Sequence, residues 1–183
     1  MGKILNKDLM KNKHILLLLI MAISACSTAK KIAIGNGSFV QIPKNSRKIS
    51  IDEFNAVYGK LKLEFPISPL DNQYIADNVL ISFHNVRNMS PNEESFEDRS
   101  KGMAELNFIN GGRRVSGMHI ATINNNQVLT WRLKGNNQIC ISFFCKNATN
   151  KLAVNGQVQT VLSDSTKADK VADFIAKHIN FGD

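Results

Sequence analysis

The chain has 183 residues with 23 Lys and Arg against 15 Asp and Glu, a formal charge of +8. Its cations are scattered or paired (Lys30/Lys31, Arg47/Lys48, Arg113/Arg114), with no run dense enough for a nucleic-acid surface, so no nucleic-acid partner is expected. One domain's worth of chain buries enough surface to fold without metals or staples, and three cysteines are too few for a disulfide scaffold.

The N-terminal segment reads as a leader. Lys3, Lys7, Lys11 and Lys13 face a single acid, Asp8, ahead of an apolar run from Ile15 to Ile23 and the small residues Ser24 and Ala25. A basic start, a short apolar stretch and small residues at its end are the parts of a secretory signal peptide. About eleven apolar residues give a helix of about 17 Å, too short for a hydrocarbon core of about 30 Å.

The end of this run, Ile23-Ser24-Ala25-Cys26, resembles the lipobox of bacterial lipoprotein precursors. The resemblance implies that Cys26 takes a diacylglycerol on its sulfur, that residues 1 to 25 are removed, and that the new amino terminus is acylated, palmitate being a typical chain. Two or more acyl chains anchor stably where one does not. Ser27 stands where an Asp favours the inner membrane in enterobacteria, so the resemblance implies an outer-membrane protein facing the periplasm in a Gram-negative host. Removing 25 of 183 residues leaves 158, and the leader's charge of +3 leaves +5 on the rest.

Residues 26–37, the lipidated Cys and a small, polar stretch, read as a tether; residues 38–183 read as a single globular domain. Phe39 to Ile42 is a brief strand stopped by Pro43. Ser50 and Glu53 form a capping box before a short helix bearing Phe54, Val57 and Tyr58, with Gly59 where it would end. Lys60 to Phe65 alternates as a strand, and Asn78 to Val86 reads as an interior one. Ser90-Pro91-Asn92-Glu93 repeats the capping logic before a solvated helix or loop over 87–102, which carries Glu93, Glu94, Glu97 and Asp98.

From Ala104 the pattern is a meander. Ala104, Leu106 and Phe108 alternate before Asn110-Gly111-Gly112, and Arg114 to Thr122 returns. Gln127 to Lys134 and Gln138 to Cys145 follow, separated by asparagine and glycine turns. Asn155-Gly156 is a two-residue hairpin signal between Leu152-Val154 and Gln157-Leu162. Ser163 to Ser165 then caps a closing helix with Ala168, Val171, Ala172, Ile175 and Ile179 on one face.

The expected fold is α+β, mainly an antiparallel meander sheet with the C-terminal amphipathic helix packed on it. A strand closed by proline, a meander and a terminal helix are together similar in architecture to PsbP/Mog1-type α+β lipoprotein domains. A lipocalin-like β-barrel is the alternative, although the Gly-x-Trp of that family's first strand is absent.

Candidate chemistry is sparse. An exported chain meets an oxidising compartment, which makes a disulfide between Cys140 and Cys145 a default. Along a straight strand, however, five residues separate the two by about 16 Å on opposite faces, against a limit of about 7 Å. Either the strand breaks between them or both are buried thiols. His84 and His119 fall in strands without a G-x-S-x-G or S-x-x-K companion. The acidic cluster lacks a calcium-loop pattern, and Trp131 alternates with Leu129 and Leu133 as core. Asn36, Asn88 and Asn147 begin glycosylation-type triplets that read here as turn chemistry. No catalytic residue, cofactor or metal site is expected.

The function these features point to is a lipid-anchored envelope lipoprotein that binds rather than catalyses. Its membrane contact is through Cys26, and its partner would be an envelope protein or a wall polymer. A carrier holding a hydrophobic ligand in a barrel and an immunity-type envelope inhibitor are the alternatives.

Overall fold

The computed structural model describes residues 29–63, 70–90, 92–109 and 115–182. The architecture is α+β in three layers, mainly antiparallel, with the C-terminal helix packed on the sheet. A small sheet orders β1 (Ala29–Gly35), β2 (Ser38–Pro43) and β11 (Ile179–Asn180) as β1-β2-β11. An eight-stranded sheet runs β3 (Arg47–Lys48), β4 (Asn72–Ala76), β5 (Val79–Phe83), β10 (Leu152–Val161), β9 (Gln138–Lys146), β8 (Asn126–Lys134) and β7 (Val115–Ile123). Off this path, β6 (Arg87–Asn88) pairs with the start of β10. The ends of the large sheet, β3 and β7, do not meet, so there is no closed barrel, and the barrel carrier loses its lumen.

Strand alternation sends two sets of side chains to two faces. On the first face Ile81, Phe83, Ile141, Phe143, Val154 and Val158 form a core with Val40 and Ile42 of the small sheet. Helix α3 (Ser165–Lys177) completes that layer through Ala168, Ala172, Ile175 and Ala176. Three alanines in this stripe let the helix backbone approach the strands closely. The second face carries α1 (Ile51–Lys60), where Phe54 joins Leu80 and Leu63. Alongside it Phe96, at the start of α2 (Phe96–Ile109), packs on Leu129, Phe144 and Ala153.

Several expectations fail, each for a physical reason. The tether is a strand from Ala29 onward: Ile32 and Ile34 turn inward, and Asn36-Gly37 closes a two-residue turn onto β2 with φ of 50° and 69°. Residues 61–63 turn out of α1 instead of starting a strand, with Lys62 rather than Gly59 in the left-handed region at φ 52°. The rest of that expected strand lies outside the described residues. Ala104 to Phe108 is helical, because Ser95 accepts from the Asp98 amide (3.0 Å) and donates to its carboxylate (2.7 Å), setting the helix start. The cap expected at Ser90 and Glu93 is displaced to this pair.

Asn155-Gly156 is not a turn. β10 passes straight through it, pairing Gly156 with Phe83 on one side and Phe143 on the other. A Cβ at Gly156 would overlap the Phe143 ring and lie 2.6 Å from the Ser82 carbonyl oxygen and 2.7 Å from Phe83 Cβ. The glycine is there to seat two phenyl rings. Among the described residues the two-residue turns are Asp77-Asn78 (φ 47° and 66°) and Asn124-Asn125 (φ 51° and 65°), besides Asn36-Gly37, while the turn expected at Asn110-Gly111-Gly112 lies outside them.

These turns give the domain two poles. Asn45 donates to Asp77 (2.8 Å), which joins the end of β2 to the β4–β5 turn at the pole where β1 begins. The Val86 amide donates to the Ile34 carbonyl (2.8 Å) at the other pole, where the Asn124-Asn125 and Asn147–Asn150 turns also lie. Six steps of strand from Ala29 to Gly35 separate the poles by roughly 20 Å.

Candidate functional site

The pole remote from Ala29 carries a groove of about 880 Å³. Strand order creates it: β8 starts, and β7 and β9 end, at this pole, so the β7–β8 and β9–β10 turns stand beside the end of α3 and the strand β11 that follows it. One wall holds Asn124, Asn125 and Asn126; another holds Asn147, Thr149 and Lys151; Asn88, Asn180 and Phe181 complete it.

Part of this asparagine set is structural. Asn124 donates to the Lys177 carbonyl (2.9 Å) and Asn126 to the Ile179 carbonyl (3.2 Å), tying the turn to the end of α3 and to β11. Asn147 accepts from the Lys151 and Leu152 amides (2.9 and 3.0 Å) and donates to Thr149 (2.9 Å). His178 Nδ1–H donates to the Phe174 carbonyl (2.8 Å), and its ring stacks on Phe174 with centroids 4.4 Å apart. The Gly182 amide donates to Ser38 Oγ (2.9 Å), holding the last described residues against the β1–β2 turn. Among the described residues no carboxylate lines the groove. Lys177 is paired with Asp173 (2.7 Å), whereas Lys151 has no ion-pair partner there.

A second groove of about 520 Å³ runs between α3 and the β7–β8 ribbon. It places His119 and Thr130 near Asp169 and Asp173, over a floor that includes Ala121, Val128 and Ala172. Arg132 pairs with Asp169 at its side.

Of the residues singled out by sequence, Asn88 and Asn147 line the first groove and His119 the second. Cys26 lies outside the described residues. Cys140 and Cys145 are both free and buried, and the disulfide does not form: β9 runs straight through both and sends them to opposite faces. Burial pushes Cys140 up to about 11, despite its contact with the Ser142 hydroxyl, and Cys145 up to about 12. Both are therefore expected to resist alkylation in the folded protein at pH 8 and to react only after unfolding, as peptide mapping would show. A native-state adduct on either thiol, or a cross-linked peptide, would contradict this. The folded chain holds these protons more tightly than an unfolded thiol, near pH 9. Their contribution to stability is thus full below about pH 9 and is lost as pH rises toward 11 to 12.

His84 Nδ1 lies 3.2 Å from Asp71, whose carboxylate also accepts the Asn85 amide (2.8 Å). That amide, together with His84, holds Asp71 below the usual carboxylate range. Among the described residues no serine hydroxyl or cysteine thiol bonds to this ring, so the pair lacks a nucleophile. The acidic cluster is ion-paired: Glu93 takes Arg87 at 2.7 Å and Arg99 at 3.4 Å, while Glu94 takes Arg99 at 3.8 Å. Arg87 holds Glu93 below its ordinary range. Among the described residues no group of three or more His, Cys, Asp or Glu is placed to hold a metal, and no helix is long and apolar enough to cross a membrane.

The groove was invisible in sequence because its residues are dispersed from 39 to 182 and converge only through strand order. Asn88 and Asn180, asparagines on strands where this residue is disfavoured, become a signal only once β6 and β11 are known. No protein-family model and no curated protein matches the chain. The solution structure of cyanobacterial PsbP (CyanoP) from Synechocystis sp. PCC 6803 is similar to it, with a TM-score of 0.51 at 11% identity over 85% of this chain and 93% of that one. That likeness is one of fold, and it agrees with the PsbP-type architecture expected from the sequence.

Proposed function

We propose that the chain is the precursor of a lipid-anchored envelope lipoprotein whose PsbP-like domain is a binding module. The observation that carries this reading is the lipobox-like Ile23-Ser24-Ala25-Cys26 directly behind a basic and apolar leader. The fold is compatible with it. β1 begins at Ala29, three residues past Cys26, so an acylated sulfur would hold one defined pole against the membrane. That pole exposes Lys30, Lys44 and Lys48, which suit anionic headgroups. The large groove lies at the opposite pole, turned toward whatever faces the membrane. In a Gram-negative host the reading is an outer-membrane protein facing the periplasm.

Labelling of cells with an alkyne-bearing palmitate analogue tests it. The parent is expected to carry the label and to begin, by intact mass, at an acylated Cys26; Cys26→Ala is expected to carry none. Equal labelling of the two, or a parent mass starting at an unmodified Met1, would overturn the reading.

A further inference from the structure

The groove at the pole remote from Ala29 differs from an ordinary small-molecule pocket in its lining. Such pockets are mostly apolar with a few polar groups; this one sets six asparagines and a glutamine beside its apolar residues. Three of its asparagines are fixed to the backbone, as described, which makes a rigid rim. Three others are uncommitted: among the described residues the side chains of Asn88, Asn125 and Asn180 are exposed and make no hydrogen bond to the fold. Asn125 has a turn to explain it, since its φ is 65°. Asn88 and Asn180 lie on strands and have no such explanation.

Each free amide offers two donors and one acceptor. Hydroxyl groups, which both donate and accept, are the complementary chemistry when several must be matched along an open groove. The charge narrows the class further. Lys151 stands in the wall with no carboxylate partner among the described residues, and at the border the Lys31 ammonium sits 3.6 Å from the centroid of the groove residue Phe39. With no carboxylate in the lining among the described residues, the groove favours an anion. From these features we infer that it binds an acidic glycan, a polyhydroxylated chain bearing carboxylates. The inference deepens the binding-module reading by naming its ligand class.

The experiment uses the full chain in detergent micelles and a carboxylated oligosaccharide, tetragalacturonate, with a neutral oligosaccharide of equal length and a poly-glutamate of equal charge as comparisons. Titration calorimetry is expected to show the carboxylated sugar bound at least tenfold more tightly than either comparison. Replacing Asn88 and Asn180 together by alanine is expected to lower that affinity about tenfold. Lys151→Gln is expected to weaken it about fivefold and to flatten its salt dependence. These side chains are exposed, so the variants should keep the parent's unfolding midpoint, which is measured alongside. Equal binding of poly-glutamate would show a merely electrostatic surface and overturn the inference. So would a parent that binds no sugar, or an Asn88→Ala/Asn180→Ala chain that binds as well as the parent. Because the titration does not depend on acylation, its failure is distinct from failure of the palmitate labelling.

Discussion

Gly156→Ala is expected to lower stability by about 3 kcal/mol, the upper part of the range for overpacking a filled core. The added methyl meets the Phe143 ring, the Ser82 carbonyl and Phe83 at once, on backbone held by two neighbouring strands. None of these can withdraw without breaking a ladder or a phenyl contact. Urea unfolding should show a lower midpoint with an unchanged slope, and thermal melting a loss of about 6–12 °C for a domain of this size. Phe143→Ala opens space on the same row, so the double variant should cost less than the two single losses added together. Strict additivity, or a Gly156→Ala protein as stable as its parent, would mean that the row is not as tight as described.

Truncating Ile175 is expected to cost a similar amount, about 3 kcal/mol. Helix α3 presents mostly alanines to the sheet, which brings its backbone close but supplies little area per residue. Ile175 is the one large, fully buried side chain in the stripe of a helix that packs on β9, β10 and β2. With Ile175→Ala the helix should detach earlier than the sheet. Hydrogen exchange should then rise first over residues 165–180 and spread to the groove wall that Lys177 and Ile179 hold through Asn124 and Asn126. Uniform acceleration across β9 and β10 instead would show that the helix is not a separate layer.

What the sequence made legible was decided by how local each signal is. The stripe of α3 rests on helical periodicity and stands where expected as far as Ile175, whereas Ile179 leaves the helix for β11; the strands β8 and β9, bounded by asparagine and glycine turns, also stand where expected. The Ser50–Glu53 cap also holds: the Glu53 amide donates to Ser50 Oγ at 3.2 Å, though the Glu53 carboxylate turns to Arg47. Short patterns misled. Three alternating residues at Ala104, Leu106 and Phe108 are outweighed by a helical cap nine residues upstream. Asn155-Gly156 has the composition of a turn, but its glycine answers a steric demand from Phe143 and Phe83, neighbours that sequence does not reveal. Conversely, Ile32 and Ile34 alternate ahead of Asn36-Gly37, a hairpin signal masked by the lysines beside it. The groove was the least legible part, since Asn88, Asn125 and Asn180 meet only after the strand order is known.

The opposition of the two poles has a mechanical consequence. If a domain held at Ala29 grips a polymer at its far end, any pull runs lengthwise along β1 and β2. Bonds between antiparallel strands lie across that direction, so the pairs from Ala29–Pro43 to Gly35–Ser38 are loaded together in shear and are not peeled open one after another. Such a geometry resists tension out of proportion to its size.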